Sequence, residues 1–450
     1  MRIHPPALEI GDHEGFNPEK DLFGRAHLGN SLTNLVSKIE EPLVIALDGQ
    51  WGSGKTTFLK MWAGELRNAG FPVVHLDAFE NDYVDDAFAA LARQILKVSE
   101  ANNTIQREAL EVFRTQTLAL GKQLLRSGLK IGASAGIKII TAGVLDGKDL
   151  EALREAVIEG TSEAANGYLD ELLSRPNEQH DAAVAFRQAL QDLPAKLSPP
   201  VEGNAQLPLI YIIDELDRCK PIFALEVIER IKHFLSVPNV HFVFGVNMKQ
   251  LEQSVCFAYG SGVDAATYLQ KFINLTVLNV DNSEHRHESD IRRYIEYLGT
   301  ALEIPSTRNM QLATEFIERV SHANKYSFRT LEHIFASLAI ASATGDLSRN
   351  VIGPILGGLC ILKVTRSDLF SKSKTRELRF QDVSEVFAFE QPVSEPNSHD
   401  TEWQKKWWRI CTEDQLTNDL SELERSDVFI EVDRLYYVSY IANEIVDRFG

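Results

Sequence analysis

Residues 49–56 read Gly49-Gln50-Trp51-Gly52-Ser53-Gly54-Lys55-Thr56. This octet fits the pattern G-x-x-x-x-G-K-[ST] of a phosphate-binding loop. Glycines let backbone N–H groups turn toward a bound phosphate, because no Cβ atom obstructs them. The lysine of such a loop brings positive charge to the β- and γ-phosphate oxygens, and the hydroxyl that follows it binds Mg²⁺. We therefore predict that the octet and the following Thr57 bind ATP, that Lys55 is catalytic and that Thr56 is a magnesium ligand.

The residues on either side of the octet favour the same interpretation. Residues 43–47 form an apolar run with the length of a buried parallel strand. Residues 57–66 are predicted to form a helix whose N-terminus faces the phosphates and which ends near Gly70. A glycine-rich turn that binds nothing is the alternative, and it leaves Lys55 unexplained.

A second motif supplies acidic groups. The apolar run at residues 209–213 leads directly into Asp214 and Glu215. An acidic residue at the carboxyl end of a strand is suited to the Mg²⁺ shell opposite Thr56, so we assign Asp214 to the metal. Glu215 is suited to accept a proton from the attacking water, so we assign it as the catalytic base. An Asp-Glu pair also caps helices, but the phosphate loop upstream favours the catalytic interpretation.

Two further polar residues are candidates for sensing the nucleotide. Asn247 follows the predicted strand at residues 240–246 and is expected to orient the water. Its alternative is an ordinary residue of a strand-end turn. Arg329 begins a predicted helix and is expected to reach the γ-phosphate, whereas its alternative is a surface arginine.

Length and composition bound the class of protein. The chain has 450 residues, 44% of them hydrophobic and 24% charged, which predicts a globular protein of two or three domains. Its net charge of −18 argues against broad binding to nucleic acid or anionic membranes, although a local basic patch is compatible with it. The four cysteines, which form no C-x-x-C pair, and the absence of a signal peptide predict a cytoplasmic protein without a disulfide framework or zinc ribbon. The cysteines are Cys219, Cys256, Cys360 and Cys411.

One segment departs from this pattern. Residues 128–145 are apolar, with glycines at positions 128, 132 and 136, a spacing that lets helices pack closely in membranes. Lys130 and Lys138 interrupt the run, and it barely reaches spanning length. We favour a buried or oligomer-packing helical segment over membrane contact.

The pattern of strands and helices predicts an α/β fold with a mostly parallel sheet. Residues 1–20 are expected to form an irregular arm, and residues 21–98 and 201–280 the phosphate-loop core. Helices are expected in an insertion at 99–200, with segments at 104–125, 150–173 and 181–190. A helical lid or sensor domain is expected at 281–390 and a helical C-terminal region at 391–450, joined by a linker at 391–399.

Taken together, these motifs resemble the KAP-type P-loop NTPases, a STAND-like branch of the ASCE ATPases. The resemblance covers roughly residues 21–340 and is carried by the octet with its tryptophan and by five further stretches. These are Asp21-Leu22-Phe23-Gly24-Arg25, Asp77-Ala78-Phe79-Glu80, Ile213-Asp214-Glu215-Leu216-Asp217-Arg218-Cys219, Leu225-Glu226-Val227-Ile228-Glu229-Arg230-Ile231-Lys232 and Tyr268-Leu269-Gln270-Lys271.

The resemblance implies further properties. It places Gly24 and Arg25 near the adenine base, and it implies an inserted helical region that is often transmembrane in this family. It also implies a role in a bacterial antiviral or exclusion system beside a separate effector protein. The chain departs from the family in three places: Asp-Glu replaces Asp-Asp at 214–215, Asn replaces Asp at 247, and Asp-Ala-Phe replaces Asn-x-Trp at 77–79.

Several other residues are weighed for secondary roles. Arg218, Arg230 and Lys271 are candidates for a charge supplied to a neighbouring subunit's nucleotide, against the alternative of structural ion pairs. The cluster His285-Arg286-His287-Glu288 is interpreted as a solvated loop rather than a metal site. The stretch Trp403-Gln404-Lys405-Lys406-Trp407-Trp408-Arg409 is interpreted as a packed amphipathic helix rather than a nucleic-acid or partner site.

Three functions fit this sequence. The preferred one is a Mg²⁺-dependent ATPase, expected to form a homo-oligomer, whose hydrolysis drives a conformational or assembly switch. A membrane-associated scaffold in which ATP gates oligomerisation is the alternative motivated by residues 128–145. A small-molecule kinase is compatible with the loop but not favoured by the helical half, and a GTPase is disfavoured because no [NT]-K-x-D motif occurs.

Overall fold

The computed structural model describes residues 2–83, 86–101, 107–126, 162–198, 206–278, 284–344, 351–390, 398–414 and 433–448. The chain divides into two compact units. We call Ile10–Gln50 with Lys55–Asn279 the sheet unit, and Met1–Glu9, Trp51–Gly54 and Val280–Gly450 the helical unit.

The sheet unit contains a five-stranded sheet in the order β2-β3-β4-β1-β5, with every pairing parallel. This confirms the predicted α/β fold. Because β4 lies between β1 and β3, the strand before the octet and the strand that carries the acidic pair are both neighbours of β4. The strands are β1 Val44–Asp48, β2 Val73–Asp77, β3 Leu209–Asp214, β4 Val240–Val246 and β5 Leu275–Leu278.

The central strands are buried on both faces, as their continuous apolar sequence requires. Successive side chains alternate between two cores: Ile210 and Ile212 face one, and Tyr211 and Ile213 face the other. The Tyr211 hydroxyl, fully buried, donates to the carbonyl of Leu91 at 2.9 Å. The sheet is thus held between two layers of helices.

The helices of the sheet unit divide between these two cores. Residues of α1 and α2 contribute to the smaller core, and residues of α3 to α8 to the larger one. These helices are α1 Ala26–Val36, α2 Lys55–Asn68, α3 Ala87–Ala101, α4 Arg107–Arg126, α5 Ser162–Leu197, α6 Pro221–Arg230, α7 Met248–Tyr259 and α8 Ala265–Leu269.

The N-terminal arm has no helix or strand within residues 2–20, as predicted, but part of it is tied to α2. Arg67 and Asn68 donate to the backbone carbonyls of residues 12 and 13 at 2.8 and 2.9 Å. A Cβ atom on Gly64 would lie 2.3 Å from the carbonyl oxygen of Glu14, so this glycine permits the arm to cross the helix. The Phe16 ring then lies 5.5 Å from that of Phe58.

Within the predicted insertion, α4 confirms the helical pattern near 104–125. The two segments expected at 150–173 and 181–190 are corrected in part, because α5 is helical without a break from Ser162 to Leu197. Its sequence includes Pro176 in the helix interior, where a proline lacks the N–H that donates to the preceding turn. The segment 128–145 lies outside the described residues. None of the helices in the described part of the chain is both long and apolar enough to cross a membrane.

The helical unit contains only helices as regular elements within its described residues. Its core includes Phe316, Phe387 and Trp408, whose rings lie within 6.4 Å of one another. Its helices are α9 Glu284–Ala301, α10 Arg308–Asn324, α11 Phe328–Thr344, α12 Gly353–Thr365, α13 Ser367–Thr375, α14 Phe380–Ser384, α15 Ser398–Thr412 and α16 Arg434–Tyr440.

The helical unit contains two of the segments that were considered for secondary roles. The loop predicted around His285 is wrong, because α9 already begins at Glu284. The aromatic and basic stretch near residue 403 is a packed helix, as predicted: Trp407 and Trp408 of α15 are 7% and 0% exposed. Trp408 also packs against Gly358, where a Cβ atom would lie 2.3 Å from the indole ring.

Candidate functional site

The octet connects β1 to α2, and two of its glycines have backbone angles that disfavour other residues. Gly52 and Gly54 have φ of +77° and +79°, in the left-handed region where a Cβ atom is strained. Gly49 donates its N–H to the carbonyl of Val246 at 3.1 Å, which ties the start of the loop to the end of β4. The loop geometry therefore accounts for the glycines of the motif.

Lys55 is the first residue of α2 and is 8% exposed. Its Nζ donates to the carbonyl oxygens of Gly49 at 2.6 Å and of Gln50 at 3.2 Å. Burial lowers the pKa of Lys55, and the negative charges of Asp217 and Asp214 oppose that shift. An ammonium group held by loop carbonyls can exchange them for phosphate oxygens without leaving the loop.

Asp214 ends β3 and is 1% exposed. Its Oδ1 accepts the N–H of Glu215 at 2.9 Å, whereas its Oδ2 is buried and has no hydrogen-bond partner among the described residues. Burial is the largest influence on the pKa of Asp214 and raises it, while a hydrogen bond with the Thr56 side chain acts in the opposite direction. A buried carboxylate oxygen without a partner is unfavourable, and a cation beside it would remove that cost.

These residues fit a magnesium ion. Mg²⁺ prefers oxygen ligands and is commonly held by one or two carboxylates together with phosphate oxygens and water. Asp214 and Thr56 supply a carboxylate and a hydroxyl that already contact each other. The free Oδ2 of Asp214 is the atom that the ion would satisfy.

Gly245 of β4 is a residue of this site that the sequence analysis did not single out. It lies in register with Asp214, and a Cβ atom on it would be 2.3 Å from Oδ1 of that aspartate and 2.6 Å from Cδ1 of Leu59. A glycine inside an otherwise apolar strand often marks such a close approach. The signal was therefore present in the sequence.

Glu215 follows β3 in a left-handed conformation, with φ +60° and ψ +23°. Its carboxylate lies 2.8 Å from the guanidinium of Arg218, and its side chain is 16% exposed. Burial raises the pKa of Glu215, Arg218 lowers it, and Asp77 and Asp214 raise it further. A partly buried carboxylate with a raised pKa at the end of this strand has the properties of a general base.

Asp77 adds a third carboxylate at the same edge of the sheet. It ends β2, pairs in register with Asp214, and contributes to the raised pKa of both Asp214 and Glu215. Its Oδ1 accepts the N–H of Glu80 at 3.0 Å. The stretch that begins with Asp77 carried part of the family resemblance, but the residue itself was not predicted to belong to the site.

Asn247 follows β4 and caps α7, because its Oδ1 accepts the N–H of Lys249 at 3.2 Å. Asp48, at the end of β1, accepts the N–H of Met248 at 2.9 Å and holds the start of the same helix. Because β4 lies between β1 and β3 in the sheet, Asn247 follows the strand that separates the octet from the acidic pair. Its role as a sensor stays a prediction.

The residues expected near adenine lie at the start of α1. Gly24 has φ +63°, and Asp21 accepts the N–H groups of Arg25 and Ala26 at 2.9 and 3.0 Å. Arg25 is 8% exposed, and its guanidinium lies 4.7 Å from the centre of the Phe23 ring. Asp21 therefore caps the start of α1, while contact of Gly24 and Arg25 with the adenine base stays a prediction.

Arg329 is the second residue of α11, in the helical unit. Within that unit a Cβ atom on Gly52 would lie 2.6 Å from Cβ and 3.0 Å from the backbone nitrogen of Arg329. Ser327 caps the helix by accepting the N–H of Thr330 at 3.2 Å. The predicted sensor arginine is thus next to a residue of the octet.

The three cations weighed for a role in a neighbouring subunit each have a contact within the chain. Arg218 pairs with Glu215, and Arg230 lies 5.8 Å from the centre of the Phe234 ring. Lys271 is exposed and lies 5.5 Å from the centre of the Tyr268 ring. All four cysteines are free thiols. No cluster of three or more potential metal ligands from His, Cys, Asp and Glu occurs among the described residues.

Comparison with known families identifies the domain that carries these features. The model of the KAP family P-loop domain matches residues 25–340, more than two thirds of the chain. No curated protein matches the chain significantly. The matched range contains the octet, the acidic pair, Asn247 and Arg329, and the matched domain supports nucleotide binding by this chain, while the roles of the individual residues stay predictions.

Proposed function

The chain belongs to the KAP family of P-loop NTPases, and on that premise we propose that it is a Mg²⁺-dependent ATPase whose hydrolysis cycle drives a conformational or assembly switch. The observation that carries this proposal is the buried Oδ2 of Asp214, which has no partner in the described residues and belongs to a carboxylate in contact with Thr56. A bound nucleotide with its cation would satisfy that atom.

In this function Lys55 releases the carbonyls of Gly49 and Gln50 and binds the β- and γ-phosphate oxygens instead. Thr56 and Asp214 would hold the magnesium ion, which would neutralise charge on the phosphates. Glu215 accepts a proton from water as the water oxygen bonds to the γ-phosphorus and the bond to the bridging oxygen breaks. The products are ADP and inorganic phosphate.

The switch is proposed to use Asn247 and Arg329. Asn247 follows the strand between β1 and β3, so its amide is suited to orient the water. Arg329 begins a helix beside Gly52, and its guanidinium is suited to bind the γ-phosphate until hydrolysis removes it. We further propose that the switch operates in a homo-oligomer, and the family resemblance adds that it controls a separate effector protein of a bacterial defence system.

The test is phosphate release by the purified full chain with ATP and Mg²⁺, with EDTA as the metal-free control. Lys55→Ala is expected to weaken ATP binding at least tenfold, because the charge at the phosphates is lost. Glu215→Gln is expected to bind ATP normally and to hydrolyse it about 10²- to 10⁴-fold more slowly, the usual contribution of a general base. Lys60→Ala, an exposed lysine on the same helix as Lys55, is the matched control.

Unchanged binding and hydrolysis in Lys55→Ala would contradict the proposal. The assembly part is tested separately by light scattering of Glu215→Gln with and without ATP and Mg²⁺. A defined oligomer that forms only with ATP supports assembly as the output, and an unchanged mass rejects it for the isolated chain.

A further inference from the structure

An ion pair between Glu215 and Arg218 has no role in the function proposed above. One guanidinium nitrogen, Nη1, lies 2.8 Å from Oε1 of the glutamate. The two residues are three positions apart and are joined by a single turn of 3-10 helix, Leu216–Arg218. The pair therefore forms within one short segment of the chain.

The backbone on which this pair stands is fixed at both ends. Glu215 donates its N–H to Oδ1 of Asp214 and to the carbonyl of Gly245, at 2.9 and 3.2 Å, and accepts the N–H of Arg218 at 3.1 Å. Leu216, the first residue of the turn, and Cys219, which follows it, are 0% and 6% exposed. With the backbone held, only the side-chain torsions of Glu215 decide where its carboxylate lies.

Those torsions would otherwise be free, because glutamate has three of them and loses much entropy when it is held in one rotamer. The side chain of Glu215 is 16% exposed and that of Arg218 is 27% exposed, so the pair is shielded more than a typical surface pair. Only Oε1 takes part in the ion pair. No described residue donates a hydrogen bond to Oε2, so that oxygen remains for a water molecule.

We propose, on the basis of the function above, that Arg218 is a positioning residue for the catalytic base of its own chain. It holds Glu215 through Oε1 and leaves Oε2 to accept the proton of the attacking water. This assigns Arg218 to its own nucleotide site, in contrast to a charge supplied to a neighbouring subunit. A loosely held base loses rate even when its chemistry is intact, and a displacement of about 1 Å costs on the order of 10²-fold.

The first test compares steady-state hydrolysis by wild type, Arg218→Ala and Arg218→Lys, with Lys232→Ala as an exposed lysine control in the segment Ile231–Leu235 that follows α6. Arg218→Ala is expected to lower kcat about 10- to 100-fold, with KM for ATP changed by less than about threefold. Arg218→Lys retains a cation and is expected to recover part of the rate. An unchanged or increased kcat in Arg218→Ala overturns the proposal.

A second test uses the base itself as the background. In Glu215→Gln the carboxylate that Arg218 holds is gone, so adding Arg218→Ala is expected to change kcat by less than about twofold. A full additional loss in the double variant overturns the proposal, because Arg218 would then act on the nucleotide and not on Glu215. Equal ATP affinity in all variants, measured with a fluorescent ATP analogue, shows that the site is folded.

A mixing experiment separates action in the same chain from action on a neighbour. If Arg218 serves its own chain, a mixture of Arg218→Ala and Glu215→Gln proteins hydrolyses ATP no faster than the two measured separately. Recovery of activity on mixing overturns the proposal, since the intact arginine of one subunit would then serve the intact glutamate of another. Should Glu215→Gln hydrolyse ATP as fast as wild type, Glu215 is not the base and this proposal fails, whereas the proposed function itself fails only if wild type releases no more phosphate than the EDTA control.

Discussion

The polar side chains at the neighbouring ends of β3 and β4 differ in whether they have hydrogen-bond partners. At β3, Oδ2 of Asp214 is buried without a partner in the described residues, and Glu215 has a positive φ. At β4, Asn247 has extended backbone, and its side chain caps the helix that follows. Capping offsets the burial of Asn247, whereas no described residue donates a hydrogen bond to Oδ2 of Asp214. At this edge of the sheet, a buried polar group that lacks a hydrogen-bond partner is therefore the better marker of function.

The largest effect is expected from Asp214→Asn, which keeps the size of the side chain and removes its charge. Hydrolysis with Mg²⁺ should fall by about 10³-fold, since the carboxylate ligand of the cation is lost. The melting temperature without Mg²⁺ should not fall below that of wild type, because a buried charge has been removed. A large loss of stability together with normal hydrolysis would mean that Asp214 stabilises the fold and does not serve the cation, contrary to this comparison.

Gly245→Ala tests whether β4 serves the carboxylate of β3. The added methyl group would meet Oδ1 of Asp214 and Cδ1 of Leu59, so one of them must move. We expect a loss of about 1–3 kcal/mol in the free energy of unfolding and about 10- to 100-fold in kcat. Gly262→Ala is the control, because a Cβ atom on Gly262 would meet nothing within 4 Å. Equal behaviour of the two variants in both measurements would contradict this role.

Two substitutions of Asn247 distinguish its role as a helix cap from its proposed role as a sensor. Asn247→Ala removes the cap and is expected to cost about 1 kcal/mol of stability. Asn247→Ser keeps a capping oxygen but loses the amide, so stability should be retained while kcat falls about tenfold. Thermal unfolding and ATP hydrolysis measure the two effects independently. A serine variant with wild-type kcat would leave Asn247 with its structural role alone.

The smallest effect concerns His75, in the middle of β2 and away from the strand ends. Burial, with Lys60 and Arg67 nearby, lowers the pKa of His75 from 6.5 to about 4. The unfolded chain therefore binds a proton at a higher pH than the folded chain does, so stability is lost as the pH falls below 6.5. Between pH 6.5 and 5 the loss should be on the order of 1–2 kcal/mol. His75→Gln should show a shallower decline of melting temperature over this range, and an identical slope would contradict the assignment.

Local sequence predicted the parts of this molecule that depend on short-range pattern. Strands β1, β3 and β4, the helix after the octet and the acidic pair follow from apolar runs and motif spacing, and each is present. The strand Leu275–Leu278 was missed, because it has only four residues and most of them are exposed. The helix around His285 was missed because a polar, charged N-terminal turn resembles a loop in sequence.

The backbone conformation of Glu215 and the order of the strands were beyond the reach of sequence pattern. The ion pair of Glu215 and Arg218 depends on a left-handed residue that no local propensity favours for glutamate. The register of Gly245 with Asp214 depends on strand order, which the sequence leaves open. The roles of Arg218 and Gly245 depend on where the fold places them, whereas the motif residues could be recognised from their identity and spacing.

The N-terminal arm changes where this domain should be considered to begin. The family match starts at residue 25, yet residues 12–16 contact the helix that starts with Lys55. A chain shortened to the matched range would uncover Phe58 on the smaller core and leave the carbonyl partners of Arg67 and Asn68 missing. The boundary of sequence similarity and the boundary of cooperative folding are therefore different in this protein, and fragments for biochemical work should include the arm.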